Sequence, residues 1–163
     1  MRNLLILFIG IIILGTSGCT PKVNIAAEKV KATTAVDQMI QALETEDINL
    51  MAKIIAHDND MVNFGTDAAE RWVGWNAVKE SLEKQFASFD KTRLLVKDQV
   101  IKVNPSGNTA WFSEIVDWDT VADGQQTHID GSRITGVLEK RNGTWLIVQF
   151  HVSVPVSTQA AKY

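Results

Sequence analysis

The four aspartates Asp117, Asp119, Asp123 and Asp130 are the residues of this sequence best suited to proton transfer. The pKa of a carboxyl enclosed by apolar groups rises toward neutrality, which would make one of them a general base for an isomerase-like reaction. His151 is a second proton carrier by type, although a single histidine on an apolar strand is more often a hydrogen-bonded core residue. No pattern distinguishes one aspartate, so the catalytic residues stay unassigned.

The sequence shows none of the motifs that are typical of several other reaction classes. It has no Ser/His/Asp order and no glycine-rich phosphate-binding loop, and His57, His128 and His151 lack the spacing of metal ligands. We therefore predict no metal and no cofactor. The 16 basic and 19 acidic residues are interspersed and give a net charge of −3, which disfavours nucleic acid as a partner.

Aromatic side chains favour a site for a small organic ligand, because binding cavities combine aromatic walls with few polar groups. Arg133 lies among apolar neighbours, where its guanidinium needs a carboxylate such as Glu114, a ligand anion or solvent. The aromatic residues would fit equally well into a core or a subunit interface. The candidate ligand-binding residues are Trp72, Trp111, Phe112, Trp118, Arg133 and His151.

The start of the chain has the three parts of an export signal. Arg2 provides the charged start, residues 4–14 form an apolar run, and residues 15–18 are small. The apolar run is well short of the roughly 20 residues that a membrane-spanning helix needs. The pattern is therefore typical of a cleaved signal peptide.

Cys19 follows the small residues directly, and this arrangement resembles the lipobox of bacterial lipoproteins, with Thr16 where leucine is usual. The resemblance implies a signal peptide over residues 1–18 and a lipid on Cys19, which is the only cysteine of the chain. The membrane would then be a partner through that lipid, and the domain would face outside the cytoplasm in the cell envelope. Because Thr20 is not the aspartate of inner-membrane retention, the outer membrane is favoured where there are two.

The mature chain is predicted to form one domain over residues 28–156, with a tether over 19–27 before it and a tail over 157–163 after it. Apolar spacing of three and four residues predicts helices, and alternation predicts strands. The predicted helices are 30–43, 48–55 and 78–89, and the predicted strands are 61–64, 93–103, 109–121, 127–140 and 144–154. This order predicts an α+β fold, in which three helices cover one face of a curved antiparallel sheet.

The dipeptide Asn142-Gly143 predicts a tight hairpin between the last two strands. Counting outward from it pairs Arg141 with Thr144, Leu138 with Ile147, Ile134 with His151, and Arg133 with Val152. On this register both faces of the hairpin are largely apolar, so both must be covered. A homodimer through the sheet is the simplest cover for the second face.

Three segments, residues 70–74, 133–135 and 142–153, carry a family resemblance. Together with the order of elements over residues 28–156, they are similar to a SnoaL-like domain of the nuclear transport factor 2-like superfamily. The resemblance implies a cone-shaped sheet, with helices and a cavity on its concave face and a partner on the other. Members of the superfamily include isomerases, cyclases, dehydratases, oligomerisation domains and ligand carriers, so the fold does not select a function.

The function that the sequence favours is a lipid-anchored, extracytoplasmic domain without catalytic activity. It would bind a small apolar or weakly anionic molecule, or serve as a scaffold. The alternative is an isomerase-, dehydratase- or cyclase-like enzyme that uses one aspartate and His151 in the cavity. A third hypothesis is an interaction module whose own side chains fill the cavity.

Overall fold

The computed structural model describes residues 22–157, so the predicted signal peptide, Cys19 and most of the predicted tail lie outside the described residues. The helices are α1 (Ile25–Thr45), α2 (Ile48–Ile54) and α3 (Gly74–Ser88). The strands are β1 (Val62–Phe64), β2 (Arg71–Val73), β3 (Lys91–Val103), β4 (Thr109–Ala122), β5 (Gln125–Arg141) and β6 (Thr144–Ser153). The predicted α+β fold is confirmed. No helix within residues 22–157 combines the length and the apolar character that crossing a bilayer requires.

Side-chain caps determine where the first two helices begin. Asn24 Oδ1 accepts a hydrogen bond of 3.1 Å from the amide of Ala27, and the Asp47 carboxylate accepts two amides at the start of α2. Between the helices, Glu46 adopts a left-handed conformation with φ 57°, which ends α1. Because Asn24 supplies a cap, α1 begins inside the segment that the sequence predicts as a tether.

The six strands form one open sheet in the order β2-β1-β6-β5-β4-β3. The long strands β3 to β6 pair antiparallel, as predicted, but the sheet as a whole is mixed, because β1 runs parallel to β6 through the pair Phe64 and His151. The sequence does not predict the short strand β2. Gly74 ends it after three residues, which are too few to show an alternation of apolar and polar side chains. The face of the sheet that carries the helices is called the inner face below, and the opposite one the outer face.

The register of the last hairpin agrees with the prediction only near its turn. Arg141 pairs with Thr144 and Leu138 with Ile147, as predicted. Farther along, the predicted pairs of Ile134 with His151 and Arg133 with Val152 are wrong. In the structure Ile134 pairs with Val152, and Arg133 pairs with Ser153. The shift begins at Val148, which is an extra residue opposite β5. This bulge turns Phe150 and Val152 to the inner face, together with Trp145 and Ile147.

The inner face forms the hydrophobic core with α1 and α2. Val36 of α1 and Leu138 of β5 are both fully buried in this cluster, and such burial stabilises the fold by about 1.5–3 kcal/mol for each side chain. Gly136 lies two residues from Leu138, and a Cβ atom there would overlap the ring of Phe112 and the carbonyl oxygen of Gln149. Only glycine therefore leaves room for that ring beside β5.

The buried carboxylate of Glu28 fastens the start of α1 to the end of the sheet. It accepts hydrogen bonds from the indole N–H of Trp145 at 3.0 Å and from Lys31 Nζ at 3.0 Å, and it pairs with Lys140 Nζ at 2.8 Å. These donors, above all Lys140, hold the pKa of Glu28 down at about 2. The folded state therefore stabilises the ionised form of Glu28.

Replacing Glu28 by glutamine is expected to lower the Tm, because a neutral amide cannot match the two ammonium groups. A carboxyl with a depressed pKa contributes fully above its ordinary value of 4.5 and loses that contribution as the pH falls to about 2. In thermal denaturation followed by circular dichroism, the Tm difference between wild type and E28Q should therefore shrink from about pH 6 to about pH 2.5. Glu83→Gln, at an exposed pair with Lys79 on α3, is the matched control and should change little. A difference that stays constant with pH would contradict this role.

Candidate functional site

A cavity of about 380 Å³ lies between the inner face of the sheet and the three helices. Its base is apolar, with Met39 from α1, Met51 from α2, Val78 from α3, and Ile134 and Phe150 from the sheet. Trp72 and Trp118 add aromatic walls. A volume of this size falls in the range of small-molecule sites, roughly 300–1,000 Å³.

Neutral polar groups line the sides of the cavity. Ser81 and Gln85 come from α3, where the Gln85 amide donates to Ser81 Oγ at 3.1 Å. Thr120, Thr127 and Ser132 come from β4 and β5. Among residues 22–157, no lysine, arginine or histidine contributes to the lining. The wall can therefore donate and accept hydrogen bonds but offers no positive charge to an anion.

Of the described residues, Glu70 is the one ionisable residue in the cavity lining. Its Oε2 atom accepts the backbone N–H of Asp67 at 2.9 Å and the hydroxyl of Thr66 at 3.3 Å, which closes the turn between β1 and β2. Gly65 makes room for this carboxylate, since a Cβ atom there would overlap both Glu70 and the ring of Trp72. The carboxylate thus holds the turn together, and one of its oxygens is already engaged.

The indole N–H of Trp118 is buried and has no acceptor among residues 22–157. An unpaired buried donor costs about 1–3 kcal/mol. Because Trp118 lines the cavity, a carbonyl or hydroxyl oxygen of a bound molecule that reached this N–H would recover the cost.

The six predicted ligand-binding residues do not lie together. Trp72 and Trp118 line the cavity, whereas Phe112 is buried in the core and is not part of the lining. The remaining three, Trp111, Arg133 and His151, are exposed on the outer face. The structure therefore places half of the predicted set on the side of the sheet away from the cavity.

Glu114 is not the partner of Arg133, contrary to the hypothesis from the sequence. The two residues lie on neighbouring strands, but Glu114 pairs with Ile134 and Arg133 pairs with Ile115. Adjacent positions point to opposite faces, so Glu114 is buried on the inner face while the guanidinium of Arg133 meets solvent.

None of the four aspartates considered as general bases lines the cavity. The Asp117 carboxylate pairs with Lys97 and accepts the backbone N–H of Gly131 at 3.0 Å, and these contacts hold its pKa below the ordinary value. Asp119 binds His128 at 2.8 Å, and Asp130 lies 3.9 Å from Lys97. The fourth, at position 123, has a left-handed backbone in the exposed turn before β5.

The histidines also lie outside the cavity lining. The ring of His57 stacks on Trp75 at a centroid distance of 4.6 Å and bonds the carbonyl oxygen of Ala52. His151 meets Phe64 edge-on at 5.8 Å on the outer face. Within residues 22–157, no three His, Cys, Asp or Glu side chains converge as metal ligands would.

The polar lining residues Ser132, Thr120 and Thr127 were not predicted from the sequence. Strand parity is the signal that could have identified them. Once the register shift between Val116 and Trp118 is taken into account, each of the three points to the same face as a buried apolar neighbour. The alternation pattern alone does not show that irregularity.

The two ends of α1 mark opposite ends of the domain. Val23, just before the helix, lies against Gly107 in the turn after β3, and Glu28 reaches the end of the β5–β6 hairpin. At the other end, Glu44 accepts the amide of Leu94 at 2.8 Å, beside the strand ends that line the cavity. A helix of 21 residues spans about 30 Å. The start of α1 therefore lies at the end of the domain away from the cavity, which Met39 and Leu43 line near the other end of the helix.

Known structures share this architecture. A nuclear transport factor 2-like superfamily protein from Salmonella enterica serovar Typhimurium is 21% identical, has a TM-score of 0.74, and matches 85% of this chain and 98% of its own. A nuclear transport factor 2-like protein of unknown function from Pseudomonas putida is 17% identical, with a TM-score of 0.69 over 84% of this chain and 93% of its own. At these identities the likeness shows the fold alone.

A third similar structure, from Streptomyces avermitilis, carries a provisional assignment as a dehydratase of the nuclear transport factor 2-like family. It is 14% identical, with a TM-score of 0.70 over 82% of this chain and 99% of its own. No curated protein matches the chain by sequence. The SnoaL-like domain family matches residues 32–157, which is most of the chain. The chain therefore belongs to the SnoaL-like domain family and has the nuclear transport factor 2-like fold.

Proposed function

We propose that this chain is a lipid-anchored, extracytoplasmic protein that binds a small, neutral, largely apolar molecule in its cavity without changing it chemically. The chemical character of the cavity wall carries this proposal. Its base is apolar, its sides offer hydroxyl and amide groups, and the carboxylate of Glu70, which also lines it, is engaged in a turn. A neutral ligand is favoured over a weakly anionic one, because burying an anion without a cation to pair with it is costly.

The rival proposal is an enzyme of the dehydratase or isomerase kind, and the provisional dehydratase assignment of one similar structure favours it. Such chemistry needs a base and an acid that converge on the reacting atoms. Among the described lining residues, Glu70 is the one candidate base, and Ser81, Thr120 and Ser132 are weak acids. The aspartates and His151 lie elsewhere, so binding without catalysis is the better supported function.

Thr127→Trp is expected to weaken the binding of a neutral apolar probe, N-phenyl-1-naphthylamine, by about tenfold or more, because the indole would occupy volume in the cavity. Thr127 lines the cavity but is exposed, so the larger side chain need not disturb the core. Gln126→Trp is the matched control, since it adds the same ring at the preceding position of β5, outside the cavity lining. Fluorescence titration gives both dissociation constants. Equal weakening in the two variants, or no binding by the wild type, would contradict the proposed site.

We also propose that two copies of the chain associate through the outer face. Support comes from large apolar side chains that remain exposed there: Trp111 is 50% exposed, Val100 48% and Phe64 42%. They lie on β4, β3 and β1, with the half-buried Val137 of β5 paired to Trp111. Exposed apolar patches of this kind are typical of subunit interfaces.

Trp111→Lys is expected to shift the protein toward the monomer, because it replaces a large exposed apolar side chain of the outer face with a charge. Val30→Lys is the matched control: Val30 is 67% exposed but lies on α1, away from the outer face. Light scattering coupled to size exclusion measures the mass of each variant. A wild type that is monomeric at micromolar concentration would overturn the proposed dimer.

The proposed anchor is a lipid on Cys19, which lies outside the described residues. Its support is the signal-like sequence before it. The first residue of α1, Ile25, follows Cys19 by six residues and lies at the end of the helix away from the cavity residues Met39 and Leu43. A lipid at this position would leave the cavity facing away from the membrane.

Cys19→Ser is expected to move the protein from the detergent-rich to the aqueous phase in a detergent partition experiment, because hydroxyl substitution removes the thiol that accepts lipid. Two or more acyl chains hold a protein to a membrane essentially permanently, so the expected change is nearly complete. Thr20→Ser is the control and should partition like the wild type. Mass spectrometry of the wild type should show the added lipid, and an unmodified thiol would refute the anchor.

A further inference from the structure

Glu114 is a buried carboxyl group that the proposed binding function does not use. It lies on the inner face of β4 with 2% of its surface exposed. Its Oε2 atom accepts a hydrogen bond of 3.0 Å from the side-chain amide of Gln99, and its Oε1 atom has no partner among residues 22–157. A carboxyl in this position can remain neutral easily but can ionise only at a cost.

A bulge in β3 brings Gln99 to this carboxyl. Lys97 pairs with Ile115 and Val100 with Ser113, so Asp98 and Gln99 together lie opposite the single residue Glu114. Asp98 has a left-handed backbone with φ 49°, which turns the next side chain inward.

The same Gln99 amide nitrogen also donates to Asp37 Oδ1 of α1, at 3.0 Å. One NH₂ group thus joins two carboxyl groups across the contact between α1 and the sheet. When both are ionised they repel each other, and only the Asp37 side is exposed to water.

The surroundings of Glu114 favour its neutral form. Burial raises its pKa to about 7, the Gln99 hydrogen bond opposes that rise, and the charge of Asp37 adds to it. Asp37 is the charged group that faces it from α1, β3 contributes the neutral Gln99, and β5 contributes Ile134. No lysine or arginine among residues 22–157 pairs with this carboxyl.

The helix that carries Asp37 also forms one wall of the cavity. Met39 and Leu43 of α1 belong to the lining and follow Asp37 within two turns of helix. Any movement of this part of α1 away from the sheet therefore changes the cavity as well.

We propose that Glu114, Gln99 and Asp37 form a pH-sensitive latch that holds the middle of α1 against the sheet when Glu114 is protonated and releases it when Glu114 ionises. The consequence for ligand binding rests on the proposed function of the cavity. Below neutral pH the neutral carboxyl stays buried and the wall is closed. Above it, the buried charge favours hydration and separation from Asp37, so α1 loosens and the ligand binds less tightly. By linkage, a bound ligand raises the proton affinity of the latch.

Hydrogen exchange of full-length protein tests the latch directly. After correction for intrinsic rates, amides of residues 32–43 should exchange several-fold faster in the wild type than in Glu114→Gln at about pH 8, and equally at about pH 5.5. Asp37→Asn, at an exposed position, removes the repelling charge and should slow the exchange at high pH without disturbing the core. Glu83→Gln on α3 is the control. Equal exchange in wild type and E114Q at both pH values would overturn the latch.

Titration with N-phenyl-1-naphthylamine tests the link to the cavity. The dissociation constant of the wild type should rise above neutral pH, by at most about tenfold per pH unit for one linked proton, while that of E114Q should stay constant. A flat wild-type profile alongside pH-dependent exchange would overturn the coupling to the cavity. If neither protein bound the probe at any pH, the proposed function would fail, and hydrogen exchange would still decide on the latch.

Discussion

The bulge at Val148 is the constraint on which the site depends, because it decides which side chains of β6 face the helices. Before the bulge, Trp145 and Ile147 point to the inner face, and after it Phe150 and Val152 do. Without the bulge the parity would persist, and Gln149 and His151 would point to the inner face in place of Phe150 and Val152. Two polar side chains would then replace two apolar ones, and this part of the cavity would have different chemistry.

Two further irregularities bend the long strands, one between β3 and β4 and one between β4 and β5. Each brings a polar contact to a carboxyl: Gln99 meets Glu114, and the amide of Gly131 meets Asp117. Gly131 has φ 69°, a left-handed conformation that glycine adopts without strain. The sheet can therefore curve around the helices while the carboxyl groups of Glu114 and Asp117 each keep a hydrogen-bond donor.

The sequence predicts the elements better than it predicts the site. Helices and long strands follow from apolar spacing, and the hairpin turn fixes the register as far as Leu138 and Ile147. Beyond that pair, alternation has no signal for an extra residue, so His151 was assigned to the wrong register. Trp72 and Trp118 entered the candidate set as aromatics, whereas Ser132 is a small hydroxyl residue whose burial only tertiary packing reveals.

The distribution of carboxyl groups bears on what the cavity can do. Asp117 and Asp119 lie outside the cavity, where Asp117 pairs with Lys97 and Asp119 contacts His128, and where such partners and water can offset the cost of a charge. The buried carboxyl with a raised pKa, that of Glu114, is outside the cavity lining and is linked through Gln99 to the helix that forms one wall. A proton at this position can alter the shape of the wall without reaching a bound molecule. The arrangement therefore suits control of binding better than it suits proton transfer to a ligand.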